Sequence, residues 1–177
     1  MLMNFRLYNR RTLHAVAALL AIIGGSVGSW AESHSPLGNS IARGAGKTII
    51  EGGTGAPGFV PVITTVAFHA ESTDGGVTGA FECLALSPPV ASGPDSGTFT
   101  VNVMYVTGTV KTAVVNGDTV TLTGTATVTG LGAGTNVPFT FEAREGGPGS
   151  NAVLTTAGLK FNETLLEGQF AIGKSKD

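Results

Sequence analysis

His69, Glu71 and Glu82 are the titratable side chains that this sequence can gather into one cluster. Histidine beside carboxylates exchanges protons near neutral pH or ligates zinc. His69 and Glu71 are two residues apart, so an extended strand puts them on one face. A hairpin turning through Thr73-Asp74-Gly75-Gly76 brings Glu82 to the same side, with Thr65 and Thr78. The cluster has no second histidine and its neighbours are polar. A charged sheet face is therefore the simpler account, and a hydrolase or isomerase using His69 with Glu71 or Glu82 is the catalytic alternative. No catalytic, cofactor-binding or metal-binding set emerges elsewhere, and no cofactor is implied.

Other candidates fail on spacing. Cys83 falls opposite Val66 in the same hairpin and reads as a small buried hydrophobe, with an intermolecular disulfide as its alternative. Gly44-Ala45-Gly46-Lys47-Thr48 imitates the end of a phosphate-binding loop, but the leading glycine position is Ile41 and β-type sequence follows in place of a helix. Glu142 and Arg144 share one strand face, where a surface ion pair needs no function. The Gly146-Gly147-Pro148-Gly149 loop could offer amides to an anion, though a plain turn suffices. Asp74, Asp95 and Asp118 are scattered and fit no Ca²⁺ loop. Asn162-Glu163-Thr164 is a glycosylation sequon, relevant only in a eukaryotic secretory host.

The elements that must position these residues are strands. Short β-type segments separated by Gly, Pro, Asn and Asp predict strands at 47–51, 60–71, 77–86, 98–106, 108–115, 119–129, 137–144, 152–156, 159–162 and 165–172. Within Thr119–Thr129 every odd position is threonine, while Val120, Leu122, Gly124, Ala126 and Val128 form the opposite, core face. Regular threonine rows also make ice-binding surfaces, but these need ranks on adjacent strands, and Lys111 and Ala113 interrupt the neighbouring one. In the first hairpin Phe68 is expected opposite Phe81. A three-residue turn at Asn116-Gly117-Asp118, with Gly117 or Asp118 left-handed, sets Val114 opposite Val120 and Val110 opposite Gly124. Apolar residues sit at odd positions through Phe99, Val101, Val103 and Tyr105 but at even ones through Val106, Val110 and Val114. That conflict predicts a bulge or corner at Tyr105–Gly108.

The N-terminus has a different character. Arg6, Arg10 and Arg11 precede the apolar run Leu13–Ile23, and Ser29-Trp30-Ala31 supplies the small residues read by signal peptidase. These features predict a signal peptide at 1–31, a flexible Ser/Gly/Ala-rich leader at 32–46 and an all-β domain at 47–177. The eleven-residue run argues against a retained membrane anchor. Asn9-Arg10-Arg11-Thr12-Leu13 also resembles the twin-arginine signal, so both export routes stay open. The expected mature chain has 146 residues, with seven Lys and Arg against twelve Asp and Glu, a net charge of −5. That balance argues against nucleic acid and anionic membranes as partners. A single cysteine excludes an intramolecular disulfide framework.

Three stretches together are similar to a group of small secreted β-rich bacterial domains, found alone or attached to cell-surface proteins. They are Val66–Leu86, Val103–Thr129 and Phe139–Gly149 with the closing Leu166-Glu167-Gly168-Gln169-Phe170-Ala171-Ile172. The resemblance implies an all-β, exported domain. The group has no established activity, so no site residue carries over.

The reading is a single antiparallel all-β domain of eight to ten short strands, a barrel or a folded-over sandwich, located in the periplasm or outside the cell. Its expected inward set is Val66, Phe68, Phe81, Cys83, Val101, Val103, Val110, Val114, Val120, Leu122, Val128, Phe139, Phe141, Phe170 and Ile172. The leading function is a non-catalytic binding or structural module for a protein or glycan partner. The second is a small barrel carrying an apolar molecule in room left by Gly108, Gly124 and Ala126.

Overall fold

Side chains alternate between the two faces of an extended chain, so each strand with an apolar face needs a covered side. The computed structural model describes residues 40–55, 61–73 and 76–174, and in it these faces close on one another. The strands are β1 (Ser40–Gly52), β2 (Ile63–Thr73), β3 (Gly76–Ser87), β4 (Val101–Asn116), β5 (Thr119–Gly130), β6 (Gly134–Arg144), β7 (Asn151–Thr156) and β8 (Leu159–Lys174). Each pairs antiparallel with the next, and β8 returns to β1, giving a closed eight-stranded barrel. The expected signal at 1–31, leader residues 32–39, His34, Asp74 and Gly75 lie outside the described residues.

Two pairs of expected strands are continuous: 98–106 with 108–115 in β4, and 159–162 with 165–172 in β8. β1 begins at Ser40, seven residues before the expected Lys47, and Ser40–Gly46 pairs with both β2 and β8. The small residues that suggest flexibility are there a steric fit. A Cβ on Gly44 would lie 2.5 Å from Phe170 Cδ1 and 2.6 Å from Phe68 Cε1, so glycine makes room for both rings.

The first hairpin has the expected register, with Phe68 opposite Phe81 and Val66 opposite Cys83. The second turn is shorter than expected. Asn116 pairs with Thr119, Gly117 has a φ of 62°, and Val115, not Val114, lies opposite Val120. A bulge at Lys111 then restores the expected pairing of Val110 with Gly124. That bulge, together with a register shift against β3 beside Val103, replaces the expected corner at Tyr105–Gly108. One unpaired residue reverses the facing of everything beyond it. Thus Met104, Val106 and Val110 face inward before Lys111, and Ala113 does after it. Val114 is only half-buried, and Val101 is 43% exposed. Val103 and Ile172 are half-buried and pack against the core.

Phenylalanines fill the barrel's middle. Phe141 lies 5.2 Å from Phe68 and 4.8 Å from Phe81 between ring centroids, and Phe81 stacks on Phe139 at 5.0 Å. The room expected beside Gly108 and Gly124 is taken by the Phe139 ring, whose Cε1 stands 2.7 and 2.8 Å from where their Cβ atoms would be. The outer wall is polar: Arg43, Lys47, His69, Glu82, Glu142 and Lys160 are all exposed on it. A bilayer-spanning barrel needs the reverse arrangement, with an apolar band outside.

Leu122 is fully buried, whereas Thr123 beside it faces out and is half-buried. Leu122→Ala is therefore expected to cost about 2–5 kcal/mol in urea unfolding, and Thr123→Ala well under half of that. Equal costs would contradict the assignment of the two faces.

Candidate functional site

The phenylalanine packing stops short of one end of the barrel. At the end formed by the β1–β2, β3–β4, β5–β6 and β7–β8 connections there is a cavity of about 270 Å³. Inward-facing Ile50, Val62, Ala85, Met104 and Phe161 make its walls, and Gly55, Val103 and Leu131 complete its rim. Alternation along β1, β3, β4 and β8 places Ile50, Ala85, Met104 and Phe161, Val62 extends the inward face of β2 one residue before its start, and backbone bonds fix the rim. Leu131 N–H donates to the Val103 carbonyl at 2.9 Å, and Gly55 N–H donates to the Lys160 carbonyl at 2.9 Å.

One layer deeper the interior becomes polar. Thr48 and Cys83 stand two positions before the wall residues Ile50 and Ala85, and Thr64 and Glu163 two positions after Val62 and Phe161, so all four share the inward face. The Thr64 hydroxyl donates to Glu163 Oε2 at 2.7 Å, and the Thr48 hydroxyl donates to the same oxygen. The two hydroxyls also touch each other. Glu163 is 3% exposed. Burial raises its carboxyl above the ordinary range, and the two hydroxyl hydrogen bonds offset part of that. Burial also holds the Cys83 thiol well above its usual range, with the Glu163 charge adding to it and the Thr64 side chain opposing it. Cys83 is thus a poor nucleophile. At 1% exposure its sulfur is also out of a second chain's reach, against the disulfide alternative.

Sequence reading misses this layer. Glu163 figures there as the middle of a sequon between two strands, and Thr48 as the end of a false phosphate loop. The signal available is the alternation Phe161-x-Glu163-x-Leu165, which puts the carboxyl on an apolar face. Its sign in stability is definite. Above the ordinary carboxyl range, folded Glu163 keeps a proton that the unfolded chain releases, so stability falls as pH rises toward the raised pKa. Glu163→Gln cannot ionise. Urea unfolding from about pH 4 to about pH 9 should therefore show the variant gaining on wild type as pH rises. A gap independent of pH would contradict a raised pKa.

The outer cluster has the expected facing. His69 pairs with Ala80, Glu71 with Thr78 and Glu82 with Ala67, so His69 and Glu82 are diagonal neighbours. His69 and Glu82 are exposed and Glu71 is half-buried. Catalysis by His69 with Glu71 or Glu82 needs them to line a pocket. His69 instead stands on the outside of the wall. Among the described residues no three His, Cys, Asp or Glu side chains are gathered for a metal.

The remaining motifs are absorbed by structure. Gly44–Thr48 is the middle of β1. Arg144 bonds Asp118 at 2.8 Å, not Glu142, and its guanidinium, with the Thr119 hydroxyl, lowers the Asp118 carboxyl below the usual range. The Gly146 and Gly149 amides donate to the Phe170 and Leu165 carbonyls of β8, so neither is offered to an anion. The Lys111 bulge also removes the expected break in the threonine rows: Thr107, Thr109 and Thr112 pair with Thr127, Thr125 and Thr123. Thr140 and Thr155 extend the last rank across β6 and β7. The Thr112 and Thr123 hydroxyls lie 2.5 Å apart and satisfy each other. Neighbouring strands twist by roughly 20–25°, which prevents such rows from forming a flat lattice.

No protein-family model, curated protein or solved structure matches this chain.

Proposed function

We propose that the protein is an exported, non-catalytic binding module, and that its barrel takes a small, largely apolar molecule at one mouth. The observation that carries this reading is the apolar cavity of about 270 Å³, floored by packed side chains and walled by five inward-facing apolar residues. Barrel mouths are a common place for such sites, and this volume suits a small ligand. The basic, apolar and small-residue pattern of 1–31 supports export, as does the resemblance to secreted bacterial β domains.

Benzene is a suitable first probe because it enters apolar protein cavities. Titration into ¹⁵N-labelled protein should shift the amides of Ile50, Val62, Ala85, Met104 and Phe161 saturably. Ala85→Leu, which projects bulk into the cavity, should abolish those shifts. Absence of saturable shifts there would overturn the reading.

A second reading rests on an outer trough lined by Thr65, Ala67, Glu82, Leu84, Asn102 and Tyr105. A tyrosine beside a carboxylate and an amide can take a glycan by stacking and hydrogen bonding. Shifts at Glu82, Asn102 and Tyr105 with a soluble oligosaccharide, and none at the cavity with benzene, would select it.

A further inference from the structure

Every described side chain that lines the mouth cavity is apolar, from Ile50, Val62 and Phe161 in its walls to Leu131 at its rim. A polar group carried inside would find no hydrogen-bonding side chain among them, and burying one unpaired is costly. The polar layer below does not supply one either. No buried side-chain nitrogen or oxygen among the described residues lacks a hydrogen-bond partner. A molecule seated in the cavity is therefore apolar along its buried length.

The apolar surface continues past the rim. Leu131, which lines the cavity, is 44% exposed. Val101 stands two residues before the rim residue Val103 on β4 and is exposed, as is Val90 in the β3–β4 connection at the same end. Of the large apolar side chains exposed among the described residues, the remaining one is Leu166, in the body of β8. A compact molecule held in the cavity would leave the exposed rim in water. A chain that fills the cavity and crosses the rim covers both, which is the arrangement that removes more apolar surface from solvent. Benzene's six carbons occupy a cavity of about 150 Å³, so about 270 Å³ accommodates roughly ten carbons.

We infer that the mouth cavity takes the alkyl chain of a single-chain amphiphile, tail first, and leaves the polar head in solvent beyond Leu131 and Val101. The inference rests on the cavity reading above and adds the class of ligand and its direction of entry. Among the described residues no charged side chain lines the cavity, so the site selects the chain and not the head.

Hexyl, octyl and decyl glucoside, each below its micelle concentration, test the chain. By NMR titration the affinity should rise about fourfold for each added methylene, the worth of burying one CH₂. In about 0.15 M salt, which screens long-range charge, octyl sulfate and octyltrimethylammonium should bind within about threefold of octyl glucoside. Val101→Ser, an exposed change, should weaken decyl glucoside about two- to fourfold and leave hexyl glucoside unaffected. A nitroxide on the octyl head should broaden the amide signals of Val101 and Leu131 more than those of Thr48 and Thr64, one layer below the cavity.

An affinity greatest for hexyl glucoside and falling with longer chains would mean a compact ligand. Broadening strongest at Thr48 and Thr64 would mean entry head first, and equal binding of decyl glucoside by wild type and Val101→Ser would mean that the chain does not cross the rim. Any of these, or a tenfold preference among the three octyl heads, would overturn the tail-first assignment and leave the cavity reading intact. Failure of every chain to bind would overturn the cavity reading itself. Cosedimentation with phosphatidylcholine vesicles in that case would assign Val90, Val101 and Leu131 to a membrane surface instead.

Discussion

Phe141→Ala is expected to lower the free energy of unfolding by about 3–5 kcal/mol, the largest loss of any single truncation in this barrel. The ring is fully buried and has Phe68, Phe81 and Phe170 around it at centroid distances of 5.2, 4.8 and 6.3 Å. These rings come from β2, β3, β6 and β8, so they meet across the barrel's interior, where no single strand can collapse to refill the space. The cost therefore combines lost transfer energy with a cavity that persists. Against a total stability of about 5–15 kcal/mol, such a loss brings the domain close to its unfolding threshold. Urea unfolding measures it directly. A cost below about 1 kcal/mol would mean that the middle of the barrel is loosely packed.

Gly168→Ala carries the second large effect, by a different mechanism. Gly168 has a φ of 108° and lies opposite Gly46 on the seam where β8 closes against β1. A Cβ there would fall 2.1 Å from the Ala45 carbonyl oxygen and 2.5 Å from Gly46 Cα, and backbone cannot rotate away as a side chain can. Conformational strain and overlap together are expected to cost about 2–5 kcal/mol. Gly76 provides the control. Its φ is 117°, and nothing lies within 4 Å of its would-be Cβ, so Gly76→Ala bears strain alone. Urea unfolding should show Gly168→Ala costing at least about 1 kcal/mol more than Gly76→Ala. Equal costs would show that the seam relaxes.

What the sequence made legible follows from strict alternation. The β2–β3 register was readable because Phe68, Val66, Phe81 and Cys83 admit one pairing that puts all four on one side. The core face of β5 was readable for the same reason. Alternation loses its power where a strand gains a residue. The bulges at Lys111 in β4 and Leu166 in β8 reverse facing partway along a continuous strand. In sequence, such a reversal looks like a corner or a gap between two strands. That is why Val114 was expected inward and why 165–172 was separated from 159–162. The same separation hid Glu163, since a residue taken as a loop position is not asked which face it occupies. The β1 glycines illustrate a further limit. Their small size answers to Phe68 and Phe170, which are distant in sequence, and no local pattern records that fit.

The charged cluster at His69 shows the converse. Its facing was predictable from spacing, but enclosure is a property of the whole barrel, and closure turned that face outward. Closure turned Glu163 inward together with Thr48 and Thr64, and along β8 its inward neighbours are the apolar Phe161 and Leu165.

One mouth of the barrel holds an apolar cavity above a buried carboxyl group, Glu163, whose pKa burial raises. The most direct test is a ¹³C NMR pH titration of the Glu163 side-chain carboxyl. Its resonance is expected to change at a pH above the ordinary carboxyl range. A change within the ordinary carboxyl range would contradict a carboxyl held protonated by burial.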